Sequence, residues 1–159
     1  MNKTYLLLGS NMGNNKALLS SAAVQIVKKI GSITRKSSLY STAAWGNTRQ
    51  PDFLNQVIIV ETELTAMQTM QNILNIEKKM GRVRTVKNAP RIIDIDILFF
   101  NKEIIVNKDL AVPHPQIQNR RFALVPLNQL SPNLSHPVLK KSIHQLLIHC
   151  HDKLNVKKF

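Results

Sequence analysis

Two aspartates, Asp94 and Asp96, are the residues whose types and spacing most clearly indicate chemistry. Side chains alternate between the two faces of a strand, so both carboxylates are expected on one face and the neighbouring isoleucines on the other. The chain has only nine acidic residues, and placing two of them side by side is costly unless a cation neutralises them. Mg²⁺ prefers oxygen ligands of this kind, so the pair predicts a metal site. The alternative is a solvated edge strand with Arg91 as the salt-bridge partner.

A strongly basic segment immediately precedes this pair. Residues 78–91 carry six cations and no acid, namely Lys78, Lys79, Arg82, Arg84, Lys87 and Arg91. Transfer of phosphoryl groups requires positive charge around the phosphate oxygens, and a metal-binding carboxylate pair beside Arg and Lys residues supplies it. The combination therefore predicts chemistry on a triphosphate.

The common phosphate-binding loops are absent from the sequence. It contains no G-x-x-x-x-G-K-[ST] pattern, and residues 9–13 lack the G-x-G-x-x-G spacing. Residues 9–13 are either a tight connection between a strand and a helix or part of the wall of a ligand pocket.

Phe53 and Asn55 are expected to share one face of a strand. An aromatic ring beside a side-chain amide suits a planar heterocycle, which can stack on the ring and form hydrogen bonds with the amide. The alternative is a core phenylalanine beside an asparagine whose hydrogen bonds are made by loop backbone.

The net charge of +13, from 22 basic and nine acidic residues, predicts an anionic partner. A nucleotide and a nucleic acid both meet this requirement, so the main rival interpretation is a small basic α+β module that binds nucleic acid. The sequence has no RNP-type aromatic strand, no KH loop and no zinc-finger spacing, and such a module would leave the aspartate pair unexplained.

The remaining composition favours a location in the cytoplasm. No segment approaches the ~20 consecutive apolar residues of a membrane span, so no membrane partner is expected. Cys150 is the only cysteine, which excludes an intrachain disulfide framework. It lies in His149-Cys150-His151, but adjacent residues point in different directions, so this stretch is interpreted as the end of a helix rather than a metal site.

Hydrophobic patterning predicts the elements that must position these side chains. Strands are expected at residues 4–8, 32–42, 53–62 and 92–100, with a hairpin turn at 101–102 leading to 104–106. Helices are expected at residues 14–30, closed by a left-handed Gly31, at 65–80, opened by a capping box and ended by Gly81, and near 122–127 and 142–149.

The order of these elements predicts one α+β domain over residues 1–159, with helices packed on a largely antiparallel sheet. Two long loops, 43–52 and 82–91, are expected to be functional because long loops in a small compact domain usually are. The last lysines, Lys153, Lys157 and Lys158, are expected only to be solvated in a C-terminal tail.

Several segments in one order and spacing extend across nearly the whole chain. They are Leu8-Gly9-Ser10-Asn11 with Gly13, Ser38-Leu39-Tyr40-Ser41-Thr42, Gln50-Pro51-Asp52-Phe53-Leu54-Asn55, Glu77 with Gly81-Arg82-Val83-Arg84, Pro90-Arg91-Ile92-Ile93-Asp94-Ile95-Asp96-Ile97-Leu98, Val112-Pro113-His114-Pro115 and Asn119-Arg120-Arg121-Phe122. Together they resemble the 6-hydroxymethyl-7,8-dihydropterin pyrophosphokinases of folate biosynthesis. The resemblance implies Mg²⁺-dependent transfer of pyrophosphate from ATP to the pterin hydroxymethyl group, with release of AMP. It also implies a ferredoxin-like sheet with helices on both faces, and we expect a monomer.

The resemblance implies a role for each matching residue. Asp94 and Asp96 would bind two Mg²⁺ ions and, with Arg82 and Arg91, would be the catalytic residues. The residues implied in binding ATP are Glu77, Arg82, Arg84, Arg91, Ile97, His114 and Arg120. The residues implied in binding the pterin are Thr42, Ala44, Trp45, Phe53, Asn55, Asp94 and Phe122.

The chain departs from the family pattern in its two long loops. Asn88-Ala89 stands where relatives often have Trp-Gly, in a loop shorter by one residue, and Ala43-Ala44 replaces a common Pro-Pro. Trp45 occupies a position that is usually aliphatic, so it is either an additional aromatic beside the pterin or an anchor for the loop. The sequence identifies no general base: a metal-activated hydroxyl and His114 both stay open.

Overall fold

The computed structural model describes residues 1–44, 49–82 and 91–159. The strands are β1 (Asn2–Ser10), β2 (Gly31–Lys36), β3 (Tyr40–Thr42), β4 (Phe53–Thr62), β5 (Asp94–Phe100), β6 (Ile105–Val106), β7 (Ala111–Val112) and β8 (Val156–Lys158). The helices are α1 (Asn15–Lys29), α2 (Ala66–Lys79), α3 (Arg121–Leu130) and α4 (Ile143–Ile148), and a 3₁₀ turn covers Ile117–Asn119.

A six-stranded antiparallel sheet forms the centre of the fold. Its order is β5-β1-β4-β3-β8, and β2 also pairs with β4. The long strand β4 therefore pairs with β1 along one edge and with both β2 and β3 along the other. This order places the start of β5 two strands away from the start of β4.

Helices cover both faces of the sheet, as expected. Leu6 and Leu8 of β1 belong to a core with side chains of α1 and α2, whereas Tyr5 and Leu7 belong to a second core with side chains of α3 and α4. Because β1 is buried on both faces, it has a continuous apolar sequence rather than an alternating one. The predicted α+β architecture with helices on both faces of an antiparallel sheet is confirmed.

Capping residues in the sequence mark several of the helix ends. The Thr65 side chain accepts from Gln68 N and the Gln68 side chain accepts from Thr65 N, which is the predicted capping box of α2. Gly81 has a φ of +92° and ends this helix as expected. Asn14 caps α1 through its side-chain oxygen.

The prediction of one strand over residues 32–42 was wrong. Two strands, β2 and β3, pair with successive stretches of β4, and Ser37 between them donates its backbone N–H to Val57 O. Gly31 also differs from the prediction, because it starts β2 instead of closing α1 in a left-handed conformation. A Cβ at Gly31 would lie 2.0 Å from Glu61 O, so the close approach of two strands explains this glycine.

Two further expectations were wrong. Residues 104–106 do not pair with β5: β6 pairs with β7 in a separate two-stranded sheet. The C-terminal lysines are not only solvated, because Lys157 and Lys158 belong to β8, which pairs with β3 at the edge of the main sheet. The first pairing is a local hairpin, whereas the second joins residues more than 110 positions apart in the chain. Within the described ranges, no helix is long and apolar enough to span a bilayer.

Gly31→Ala is expected to destabilise the protein. The new methyl group would overlap the backbone of Glu61, so β2 or β4 would have to move at a cost of about 1–3 kcal/mol. Urea unfolding should show a lower midpoint for this variant. Ser32→Ala, at the adjacent exposed residue, is the matched control and should unfold close to wild type. Equal midpoints for Gly31→Ala and wild type would contradict the close-approach explanation.

Candidate active site

The two aspartates of β5 lie on the face of the sheet that opens into a cleft. In the pairing of β5 with β1, Asp94 is opposite Gly9 and Asp96 is opposite Leu7. Ile95, between them, is buried in the core on the other face. The alternation predicted from the sequence thus places both carboxylates in one open cleft.

The cleft has an open volume of about 600 Å³. Residues from four strands, from the start of α3 and from the segments that flank them line it, namely Leu7, Gly9, Thr42, Ala43, Gln50, Phe53, Asn55, Arg91, Asp94, Asp96, Arg120 and Phe122. The lining includes five of the seven residues implied for the pterin and two of the seven implied for ATP. Trp45 and Arg84 lie outside the described residues.

Gly9 allows the amide of Asn55 to reach this cleft. Gly9 lies opposite Asn55 in β4, and a Cβ at Gly9 would be 2.7 Å from Asn55 Oδ1. Asn55 is 3% exposed, and its Nδ2 is a buried donor without a hydrogen-bond partner. A buried amide donor is costly when unsatisfied, so this atom favours a ligand that offers an acceptor.

Four ionised side chains form a compact network at the start of β5. Arg82 donates to Glu77 Oε2 at 2.6 Å and to Asp94 Oδ1 at 2.7 Å, and Arg91 donates to Asp94 Oδ2 at 2.7 Å. Glu77, 3% exposed, also accepts from Ile95 N at 2.8 Å. Both oxygens of Asp94 are thus held by guanidinium groups, and the α2 carboxylate of Glu77 is tied to β5.

The electrostatic environment differs between the two aspartates. Burial, with the charges of Asp94 and Glu77, raises the pKa of Asp96 to about 7, against the opposing effects of Arg120 and Arg91. Asp94, by contrast, lies directly between two arginines. The cleft therefore contains one carboxylate that is paired with two guanidinium groups and one whose charge is only partly compensated by its neighbours.

Several implied residues surround this network. Burial, together with Arg120, lowers the pKa of His114 to about 4, and its Nδ1 accepts from Gln116 N, so the ring is neutral at pH 7. The Arg120 guanidinium lies 5.7 Å from the centre of the Phe122 ring. Thr42 and Ala44 are buried beside the cleft. Ile97 is 2% exposed within the core, and its implied contact with adenine stays a prediction.

Asn11 is a residue whose importance was not recognised in the sequence. Its Nδ2 donates to Gln50 Oε1 at 2.7 Å and to Pro51 O at 3.0 Å. Its Oδ1 accepts from Arg91 N at 2.8 Å, and its own N–H donates to Arg91 O at 3.1 Å. This buried amide therefore links the ends of the two long loops. Asn11 directly follows β1, and its place in the Leu8-Gly9-Ser10-Asn11 segment of the resemblance was the available signal.

The histidine–cysteine stretch forms no metal site in the part of the chain that the structure describes. Helix α4 ends at Ile148 and Cys150 is buried in the core with α3 and α4. No group of three or more potential metal-ligating side chains occurs among the described residues. The interpretation of this stretch as a helix end is consistent with both observations.

Comparison with known proteins connects this geometry to one family. The family model for 7,8-dihydro-6-hydroxymethylpterin-pyrophosphokinase (HPPK) matches residues 5–132. The chain belongs to the HPPK family. This bears out the resemblance, and with it the prediction of a transferase of the pyrophosphokinase type in folate biosynthesis.

Individual HPPK relatives match over most of the chain. The 2-amino-4-hydroxy-6-hydroxymethyldihydropteridine pyrophosphokinase of Aquifex aeolicus is 37% identical over 145 residues, which cover 91% of this chain and 90% of the relative. The enzyme of that name from Haemophilus influenzae is 33% identical, with 95% and 97% covered.

Solved structures share the fold. A Plasmodium falciparum HPPK-DHPS chain superposes with a TM-score of 0.76 at 20% identity, over 92% of this chain. This chain spans 45% of the length of that longer chain.

Asp96→Asn is expected to stabilise the metal-free protein increasingly as pH rises. Folding raises the pKa of Asp96 from 3.8 to about 7, so between these values the folded state binds more protons than the unfolded state. The neutral carboxyl therefore stabilises the folded state fully below pH 3.8, and this contribution is lost progressively as pH rises to about 7. The difference in unfolding free energy, variant minus wild type, should grow by about 1 kcal/mol or more from pH 5 to 8.

Urea unfolding in EDTA at several pH values measures this difference. Asp109→Asn, which removes an exposed carboxyl between β6 and β7, is the control and should give a nearly constant difference. A difference for Asp96→Asn that does not change with pH would contradict the raised pKa.

Proposed function

We propose that the chain transfers the β,γ-pyrophosphoryl group of ATP to the hydroxymethyl group of 6-hydroxymethyl-7,8-dihydropterin and releases AMP. This proposal rests on one observation: the carboxylates Asp94 and Asp96, with Arg91, line the same cleft as Phe53 and Asn55. Asn55, Gly9 and Asp94 lie opposite one another on adjacent strands. Two strand spacings are about 10 Å, which suits a bicyclic ring whose side arm reaches the phosphates.

We assign Mg²⁺ to Asp94 and Asp96, and two ions are expected. The donors fit this metal: two carboxylates share one face, and Asp96 has a raised pKa that a cation would lower. Mg²⁺ typically takes one or two carboxylates and completes its shell with phosphate oxygens and water, so a third protein ligand is not required. When bound, the metal would neutralise charge on the phosphate oxygens and orient the triphosphate.

The arginines would supply the remaining positive charge. Arg82 and Arg91 form ion pairs with the two carboxylate oxygens of Asp94 in this structure. A cation bound at Asp94 would compete with these guanidinium groups for the same oxygens. Released guanidinium groups would be placed to bind the triphosphate in bidentate fashion. We assign Glu77 to hold Arg82 in place, and Arg120, His114 and Arg84 to contacts with ATP.

At the other end of the cleft, Phe53 and Phe122 would stack on the pterin ring. Asn55 would donate its buried N–H to the polar edge of the ring, and the backbone around Thr42 and Ala44 would complete this recognition. Trp45 is assigned to the same side.

The reaction requires positioning rather than a covalent nucleophile on the protein. The pterin hydroxyl oxygen forms a bond to the β-phosphorus, the bond from this phosphorus to the oxygen that bridges to the α-phosphate breaks, and the hydroxyl proton is lost. AMP leaves with the bridging oxygen. Side chains that hold the two substrates in line would supply much of the rate enhancement.

We further propose that residues 1–159 form one pyrophosphokinase domain, which acts as a monomer in the cytoplasm on small molecules without a nucleic-acid or membrane partner. The rival interpretation, a module that binds nucleic acid, would account directly for the net positive charge. It does not account for two carboxylates in the most basic part of the chain, because carboxylates repel a phosphate backbone.

AMP release from ATP, in the presence of 6-hydroxymethyl-7,8-dihydropterin and Mg²⁺, tests the proposed reaction. Wild type should turn over, and Asp96→Ala should lose several orders of magnitude in kcat because a metal ligand is removed. Asp109→Ala serves as the matched carboxyl control. A folded wild type without turnover would exclude the proposal; tight RNA or DNA binding with a steep salt dependence would favour the rival.

Arg91→Ala should lower kcat more than it weakens the binding of either substrate. A guanidinium that acts on the phosphates in the transition state contributes mainly to the rate, and a loss of about 10²-fold or more is expected. Steady-state rates together with calorimetric dissociation constants measure the two effects. Arg35→Ala, which removes a guanidinium bonded to Leu130 O outside the cleft, is the control. Equal losses in rate and in pterin affinity would instead assign Arg91 to ground-state binding.

A further inference from the structure

The C-terminal segment, residues 152–159, contacts two walls of the cleft. It lies beyond residues 5–132, which the family model matches. The segments that carry the family resemblance end at Phe122, so none of them connects residues 152–159 with the substrates. The C-terminal segment nevertheless contacts Thr42, which lines the cleft, and Arg121, which lies between the lining residues Arg120 and Phe122.

The first contact is with β3. Strand β8 extends the main sheet at this edge, with Val156 opposite Thr42. The Thr42 hydroxyl donates to Asn155 O at 3.1 Å, and Phe159 N donates to Leu39 O at 2.8 Å. Since β3 has only three residues, pairing on both sides fixes where Thr42 lies.

The second contact is with the start of α3. Asp152 Oδ2 accepts from Arg121 N at 3.1 Å, and its Oδ1 accepts from Leu154 N at 3.0 Å. The residue at the N-cap of α3, Arg120, provides no side-chain cap of its own. A carboxylate at a helix start satisfies a free N–H group and interacts favourably with the helix dipole. Asp152 thus supplies this cap from a distant part of the chain.

These two contacts set the positions of two cleft residues relative to each other. Phe122 follows Arg121 directly in α3, and Thr42 is held by the strand that begins four residues after Asp152. We propose that Asp152 is a positioning residue for pterin recognition, which through the C-terminal segment holds Phe122 and Thr42 at the spacing that the ring requires. The inference rests on the proposed function.

Asp152→Ala, Asp152→Asn and the control Asp109→Ala test this proposal by calorimetry. The dissociation constant of the pterin is measured with a non-hydrolysable ATP analogue and Mg²⁺ present, and that of the analogue with Mg²⁺ is measured alone. Asp152→Ala should weaken pterin binding about fivefold, as expected for loss of a cap, and nucleotide binding less than twofold. Asp152→Asn keeps one acceptor oxygen instead of two, so its loss of pterin affinity should lie between those of wild type and Asp152→Ala. Asp109→Ala should stay within about twofold of wild type.

Unchanged pterin affinity in Asp152→Ala, or equal losses for pterin and nucleotide, would overturn the proposal. If Asp152→Ala fails to fold, a chain that ends at Asn155 tests the same segment, since it removes the pairing of β8 with β3 and keeps every residue that lines the cleft. A pterin-selective loss then supports the proposal and an unchanged affinity overturns it. Wild-type turnover is measured in the same preparations. Its absence would refute the proposed function, whereas turnover with unchanged pterin affinity in the variant would refute only the role of Asp152.

Discussion

The confinement of two carboxylates on one face of β5 is the constraint on which the rest of the site depends. Asp94 is compensated by two arginines, and Glu77 holds one of these in place from α2. Asp96 is only partly compensated, and burial raises its pKa. Buried or half-buried charges persist when neighbouring groups neutralise them, so α2, the start of β5 and α3 must all be placed correctly for the pair to be tolerated.

Local sequence signals predicted much of this arrangement. The bounds of β4, the capping box of α2 and the positive φ at Gly81 all follow from neighbouring residues, and the structure agrees with each. The carboxylate pair could be placed on one face of β5 because alternation along a strand is a local rule. The family resemblance added Phe122 and Arg120, whose proximity to β4 and β5 no local pattern reveals.

What could not be predicted depends on long-range pairing. Residues 32–42 look like one strand in sequence, but two different stretches of β4 pair with this region, so the strand divides near Ser37. The lysines of β8 look like a solvated tail because their apolar neighbours are few; main-chain pairing with β3, rather than burial, orders them. Asn11 is similar, since its three partners are distant in sequence and carry no pattern that points back to it.

The need for a glycine at position 9 also limits which substitutions this cleft can tolerate. Any β-carbon there would approach Asn55 Oδ1 to 2.7 Å and push aside the amide that faces the cleft. An inhibitor that binds in place of the pterin and forms a hydrogen bond with Asn55 would therefore be difficult to exclude by a mutation at this position. Enlarging residue 9 to exclude such an inhibitor would disturb the same amide that we propose recognises the pterin.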